Sequence, residues 1–208
     1  MPEKIIEWDR ELFIAINGFN SPYTDGFMQL LSARAPWIPL YLLIIFFLFF
    51  SINLNFKKGA EPFFKIERKS LKFALIAFAG ILIAFIFSDF VSNQIKYLVE
   101  RVRPGWDPLT MNIARVLEDN RKSFSFVSSH ATNVFGFALI TSLIFRNKWF
   151  AVFIFLWAAL VSYSRIYVGR HFPLDVIGGA LLGLFFGYIF YLLIRYFSKH
   201  IHGKLVVK

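Results

Sequence analysis

The chain has 208 residues and a formal charge of +10; it is 57% hydrophobic, 20% aromatic and only 17% charged. A soluble domain carries about 25% charged residues, so a soluble globule and a disordered chain are excluded, and a single membrane-embedded domain over residues 1–208 is expected. Cysteine is absent, which excludes a disulfide scaffold and thiolate chemistry.

The N-terminus (MPEKIIEWDRE) is charged both ways and lacks an apolar core with a small-residue cleavage site, so no signal peptide is expected. Residues 4–34 carry Asp9, Arg10, Glu11, Asp25 and Arg34, with turn signals at Asn17-Gly18 and Ser21-Pro22. Apolar residues recur at Ile5, Ile6, Leu12, Phe13 and Ile16. This pattern predicts two amphipathic helices at the interface, in an N-terminal segment over 1–35. The competing reading makes part of the stretch a sixth span. Residues 36–54 carry no charge and are long enough to cross the hydrocarbon as a helix. Residues 71–95 form a second span, with Ser88, Asp89, Ser92, Asn93 and Gln94 gathered at its far end. Residues 129–145, 149–163 and 173–194 form the remaining three. Only Arg146-Asn147-Lys148 separates the third from the fourth, which forces an antiparallel hairpin. The expected fold is all-α: a polytopic transmembrane helical bundle of about five spanning helices, six possible, plus the N-terminal amphipathic interfacial helices.

Lys and Arg divide almost evenly between the two sides of such a bundle. The 55–72 linker, the Arg146/Lys148 turn and the C-terminal tail read as cytoplasmic, and the loops 96–128 and 164–172 as outward-facing. The positive charges flank apolar runs and do not line one basic element. A membrane bilayer and a phosphate-bearing partner therefore explain them better than nucleic acid, and no nucleic-acid partner is expected. The oligomeric state is not legible.

Three polar clusters lie at span boundaries on the outward side. The first runs from Lys96 to Pro104. Lys96 and Arg103 are two helical turns apart and would share one face, with Pro104 stopping the helix; the alternative is a pair of snorkelling cations. The second is Ser128-Ser129-His130. Ser128 suits an N-cap, and the free N–H groups behind it make an anion site; the alternative is a capped helix with a chance histidine. The third runs from Ser164 and Arg165 through Arg170 and His171 to Pro173 and Asp175. Pro173 suits a first helical turn, with Asp175 one turn after His171. A carboxylate there can accept from one ring nitrogen and leave the other as a nucleophile, or it merely complements the helix N-terminus. Together the clusters bring Lys96, Arg103 and Arg165 to one membrane face with two histidines, an arrangement suited to a phosphoryl group.

These residues resemble the type 2 phosphatidic acid phosphatase superfamily, membrane lipid phosphatases related to vanadium haloperoxidases. Of its motifs K-x6-R-P, P-S-G-H and S-R-x5-H-x3-D, Lys96 to Pro104 matches the first and Ser164 to Asp175 the third. The second is partial: Val127 and Ser129 stand for Pro and Gly, while Ser128 and His130 are kept. The resemblance covers roughly 70–197, the expected catalytic core. It implies that His171 attacks phosphorus and becomes a phosphohistidine, that Asp175 orients it, and that His130 protonates the leaving oxygen and then activates water. Lys96, Arg103, Arg165, Ser128 and Ser129 would hold the phosphoryl oxygens. No cofactor and no metal are expected, because Lys and Arg supply the charge that a metal gives elsewhere. Arg101 and Arg170 either meet a second phosphate or pair with acids such as Glu100.

Gly179, Gly183 and Gly187 share a face with Asp175 and predict close helix packing. Residues 108–117 are expected to form a short helix over the site. The resemblance implies a lipid phosphatase of a bacterial cytoplasmic membrane, with its site facing the periplasm or outside. Undecaprenyl diphosphate is the leading expected substrate, because a compact core suits a thin isoprenoid. Lipid A phosphate, phosphatidylglycerophosphate and phosphatidic acid are the alternatives. A non-catalytic lipid binder or transporter is the alternative of another class; the absence of paired halves speaks against it.

Overall fold

The computed structural model of the chain describes residues 3–54, 64–118 and 123–201. Part of the 55–72 linker and the end of the C-terminal tail lie outside the described residues. Within them the chain is a helical bundle with one small hairpin. Helices α1 (Glu3–Gly18) and α2 (Pro22–Ser32) come first. Ser21 caps α2 in a capping box, its side chain accepting from the Thr24 N–H at 3.2 Å while Thr24 Oγ1 accepts from the Ser21 N–H at 2.9 Å. A 3-10 turn, Ala35–Trp37, leads into α3 (Ile38–Phe49).

The uncharged stretch 36–54 does not form one helix. It turns at Phe50 into strand β1 (Phe50–Leu54), which pairs antiparallel with β2 (Phe64–Arg68) in the register Phe50↔Arg68. The stretch ends in Phe50-Ser51-Ile52-Asn53, β-branched and aromatic residues mixed with poor helix formers. Hydropathy counts apolar residues and does not see this local preference. Helices α2 and α3 meet at 67°, and only as a bent pair are they long enough for one crossing.

Among the described residues three helices are individually long and apolar enough to span: α4 (Leu71–Val99), α6 (Lys148–Tyr167) and α7 (Pro173–Ile201, the qualifying stretch ending at His200). Helix α5 (Ser129–Phe145) is shorter, with 17 residues. It is the inner helix, carrying buried Ala131, Thr132, Val134, Gly136, Ala138, Ile140 and Thr141. Helices α4 and α7 keep Leu82, Ile86, Phe90, Leu181 and Phe185 exposed, a lipid-facing surface. An aromatic knot locks α3 to α5 and α6: Trp157 meets Trp37 edge-on at 5.5 Å and Tyr41 at 6.0 Å, and Tyr41 meets Phe137 at 5.3 Å.

The α5–α6 and α6–α7 turns reverse the chain, so α5 and α7 run parallel and both begin at one end of the bundle. The glycine stripe makes their contact. A methyl at Gly187 would lie 2.8 Å from the Gly136 carbonyl oxygen, and one at Gly183 would overlap the Thr132 carbonyl outright. Backbone therefore touches backbone, as the stripe predicts. A Gly183→Val substitution is expected to cost about 1–3 kcal/mol or more, the usual price of overpacking, and to lower the melting temperature in detergent. Gly26→Ala, where the added methyl meets nothing within 4 Å, should leave melting unchanged or raise stability by up to about 1 kcal/mol through helix propensity.

Candidate active site

Helix α4 ends at Val99, and Glu100 closes it with a left-handed φ of 50°. Lys96 and Arg103 therefore do not share a helix face as their spacing predicts; Arg103 lies beyond the helix, drawn out by buried carbonyls. Its Nε and Nη2 donate to the Ser123 carbonyl and Oγ, both at 2.8 Å, and Nη1 donates to the Arg170 carbonyl at 2.7 Å. Lys96 stays in the last turn of α4 and donates to Ser129 Oγ.

Ser128 caps α5 as expected, its side chain facing the Ala131 N–H at 3.4 Å. Its own N–H donates to the Asp175 carbonyl at 2.9 Å, so the starts of α5 and α7 are tied together. His130 follows in the first turn of α5, close enough to Arg165, Arg34, His171 and Arg170 to interact with them electrostatically. Helix α7 begins at Pro173, as its position predicts. His171 Nδ1 lies 3.5 Å from Asp175 Oδ2, beyond a well-aligned hydrogen bond, and has no other partner. Asp175 itself is fully bonded. Oδ2 accepts from Ser125 Oγ and, at 2.8 Å, from the Phe172 N–H, while Oδ1 accepts from Arg101 Nη1 at 2.7 Å. Arg101 thus pairs with acids, but with Asp175 and Asp9 instead of Glu100.

Helices α1 and α2 close the site from the side. Asp9, Phe13 and Asn17 repeat along one face of α1 at 4%, 0% and 2% exposure. Phe13 packs edge-on against Phe172 at 5.2 Å. Asn17 donates to the Arg115 and Tyr167 carbonyls at 2.9 and 2.7 Å and accepts from the Arg115 N–H at 2.7 Å. Arg165, at the end of α6, donates to Ser32 Oγ of α2 and to Glu118 Oε2 at 3.1 Å, and Ser32 Oγ donates to Glu118 Oε1 at 2.6 Å. The expected helix over 108–117 is instead a run of single turns, held by bonds such as Met111 N–H to the Asp107 carbonyl at 2.8 Å. Arg10 pins that run through Asp107 at 2.7 Å. The run crosses the α6–α7 turn at Gly169, whose φ is +80° and where an added methyl would lie 2.6 Å from the Arg115 carbonyl oxygen, so a side chain has no place there.

All eight residues singled out from the sequence — Lys96, Arg103, Ser128, Ser129, His130, Arg165, His171 and Asp175 — converge on this end of the bundle. Four groups escaped sequence reading: Asp9, Ser125, and the Ser32–Glu118 pair on Arg165. Only Asp9 left a trace, as a polar residue on the same helical face as Phe13 and Asn17. Asp89, the acid inside a span, accepts from the amides of Asn93 and Asn133, each at 3.4 Å, and interacts electrostatically with Lys96.

Positive charge dominates the electrostatics. Burial, then the fields of Arg170 and Arg165, bring Arg103 down to about 10, with Asp175 opposing, so it remains a cation. Burial first, and then Arg103, Arg165, Lys96 and Arg170, hold His171 well below the ordinary 6.5. Its imidazole is therefore neutral at neutral pH, as a nitrogen nucleophile must be. The same shift has a sign for stability. Below about pH 6.5 the unfolded chain takes up a proton on His171 that the folded chain refuses, so stability present above that pH is lost as pH falls. Melting temperature in detergent should drop between pH 7.5 and 5, and His171→Asn should remove part of that slope.

A family model described as the PAP2 superfamily matches residues 73–199. The chain is 35% identical over 191 residues to a lipid A 4'-phosphatase of Porphyromonas gingivalis, covering 91% of this chain and 74% of that protein. It is 32% identical to a lipid A 4'-phosphatase of Bacteroides thetaiotaomicron, covering 92% and 79%. An undecaprenyl-diphosphatase of Sulfolobus acidocaldarius is 29% identical, over 90% and 79%. Among solved structures, a transmembrane PAP2-type phosphatidylglycerolphosphate phosphatase from Bacillus subtilis superposes with a TM-score of 0.64 at 23% identity, covering 96% of this chain and 88% of that one. LpxE of Aquifex aeolicus follows at 0.58 and 25%, covering 86% and 92%. A matching family model, relatives aligned over nine-tenths of the chain and a shared helical architecture lead to one conclusion: this chain belongs to the PAP2 superfamily, the type 2 phosphatidic acid phosphatases, and is a membrane lipid phosphatase.

Proposed function

We propose that the protein is a lipid A phosphatase working through a phosphohistidine on His171. Its substrate reading rests on one observation: the relatives of highest identity described above, 35% and 32% over nine-tenths of the chain, are lipid A 4'-phosphatases. Undecaprenyl diphosphate, the leading expectation from sequence, becomes the second reading, at 29%. Compactness was its support, and that property does not discriminate between lipids.

In this mechanism the phosphate monoester enters among Lys96, Arg103 and Arg165, with Ser128, Ser129 and the free N–H groups of the first turn of α5 completing the anion site. His171 Nε2 bonds to phosphorus as the phosphorus–oxygen bond to the lipid breaks. His130 gives that leaving oxygen its proton. Asp175, beside Nδ1, orients the ring and offsets the positive charge that develops on it. Water then attacks the phosphohistidine while His130 takes the water's proton, and phosphate leaves with His171 restored. The three cations concentrate charge where the equatorial oxygens become most negative, so the residues themselves supply what a metal would. The whole chain acts as one membrane-embedded unit, because residues of α1 and α2 reach the core at 70–197. Lys69, Lys72, Arg146, Lys148, Arg195 and Lys199 surround the opposite end of the bundle. The cations at the site end are nearly as many, but several of them belong to the motifs of the site, and setting those aside the positive-inside rule supports a bacterial inner-membrane protein with its site facing the periplasm.

The test is phosphate release from purified protein in detergent, with EDTA, on lipid A, undecaprenyl diphosphate, phosphatidylglycerophosphate and phosphatidic acid. Fastest release from lipid A is expected, undiminished by EDTA and abolished by His171→Ala. Preference for another lipid would overturn the substrate, and release that survives His171→Ala would overturn the nucleophile. His130→Asn should slow turnover by about 100-fold or more.

A further inference from the structure

We propose that Asp9, on the N-terminal helix, is a positioning residue of the phosphatase site: through Arg101 it sets both the place of Asp175 and the net charge that Asp175 presents to His171. The inference rests on the reading of His171 as nucleophile.

Arg101 is a fork between two buried carboxylates. Nη1 donates to Asp175 Oδ1 at 2.7 Å and Nη2 to Asp9 Oδ2. The side chains of Asp9 and Asp175 are 1% and 0% exposed, that of Arg101 only 18%. The guanidinium lies over the Phe172 ring at 4.3 Å, between His171 and the start of α7. Asp9 Oδ1 meanwhile accepts from the Leu174 N–H at 2.7 Å, one residue before Asp175. Asp9 thus grips the segment that carries the dyad twice, once through Arg101 and once through its backbone.

Charge counting shows why two carboxylates are needed. Arg101 beside Asp175 alone would be a neutral pair, with little negative field left for an imidazolium. Adding Asp9 leaves one net negative charge on the trio. That charge is the complement of the single positive charge on His171 once Nε2 has bonded to phosphorus. The surrounding cations, Lys96, Arg103, Arg165 and Arg170, all oppose that positive charge, so the balance at the dyad matters more here than in an uncharged pocket. Bidentate guanidinium geometry lets Arg101 fix Asp175 and be neutralised at the same time. No other carboxylate among the described residues pairs with Arg101.

A purely structural role would make Asp9 an anchor for α1, and variants separate the two. Asp9→Asn keeps the shape and an acceptor for the Leu174 N–H but removes the charge. Asp9→Glu keeps the charge and alters the shape. The Asp9→Asn/Arg101→Gln double variant removes one negative and one positive charge and returns the trio to a single net negative charge. Steady-state kinetics on lipid A would be read per folded molecule, with melting temperature measured alongside. The expected result is a fall in kcat of about 10–100-fold for Asp9→Asn, with KM unchanged because the phosphate-holding groups are intact. Asp9→Glu should retain more kcat than Asp9→Asn, and the double variant should regain activity over Asp9→Asn. Wild-type kcat in Asp9→Asn would overturn the proposal. So would a double variant no better than Asp9→Asn, or equal losses in Asn and Glu whatever their melting temperatures. If wild-type protein prefers a different lipid, the substrate reading fails and the same comparison is made on that lipid.

Discussion

The backbone-to-backbone contact between α5 and α7 is the constraint on which the site depends. These two helices run parallel and start at the same end, so the positive ends of their dipoles face the same volume. One carries His130 in its first turn and the other carries Asp175. The Ser128 N–H to Asp175 carbonyl bond, at 2.9 Å, joins them directly. Any side chain at Gly183 would push the helices apart and with them His130 from Asp175. In a bilayer the lipid tails are as apolar as the helices, so close packing, more than hydrophobic burial, has to hold this contact.

Around that pair the protein solves a charge problem. Lys96, Arg103 and Arg165 are all buried, and buried cations are costly unless bonded. The fold bonds Lys96 and Arg103 without cancelling their charge and pairs only Arg165 with an acid. Arg103 is satisfied chiefly by carbonyls and a hydroxyl, Lys96 by a hydroxyl, and Arg165 by Ser32 together with the acid Glu118. Neutral acceptors fix the direction of a donor while leaving most of its charge available. A phosphoryl group therefore meets a field that is already in place, with little reorganisation at the moment of reaction. His171 experiences the other side of the same field, which keeps its ring neutral and its lone pair free.

The cluster of polar residues at this end of the bundle was legible in the sequence because its motifs are local. Motifs at fixed spacing fall at helix ends, and helix ends are where polar residues interrupt apolar runs. Ser128, Pro173 and the glycine stripe each signal a backbone requirement that no neighbour can override. Arg103 shows the limit. Its spacing from Lys96 suits a helical face, but the carbonyls of Ser123 and Arg170 that draw it out of the helix are contributed by distant segments. Span 36–54 failed for a related reason, since hydropathy does not register where helix gives way to strand. Asp9 was hardest of all, because its significance lies in Arg101 and Leu174, far away along the chain.

Helix α1 inverts the usual arrangement of an amphipathic helix. It turns Asp9, Phe13 and Asn17 inward and leaves Ile5, Trp8 and Leu12 at 40%, 59% and 50% exposure. These apolar side chains stand beside Glu3, Lys4, Glu7 and Glu11, which are exposed as well, a mixed surface of the kind that suits a membrane interface. The inner face of the same helix carries Asp9, which bonds Arg101 and the Leu174 N–H, so whatever medium covers the outer face bears, one helix thickness away, on the segment that holds His171 and Asp175.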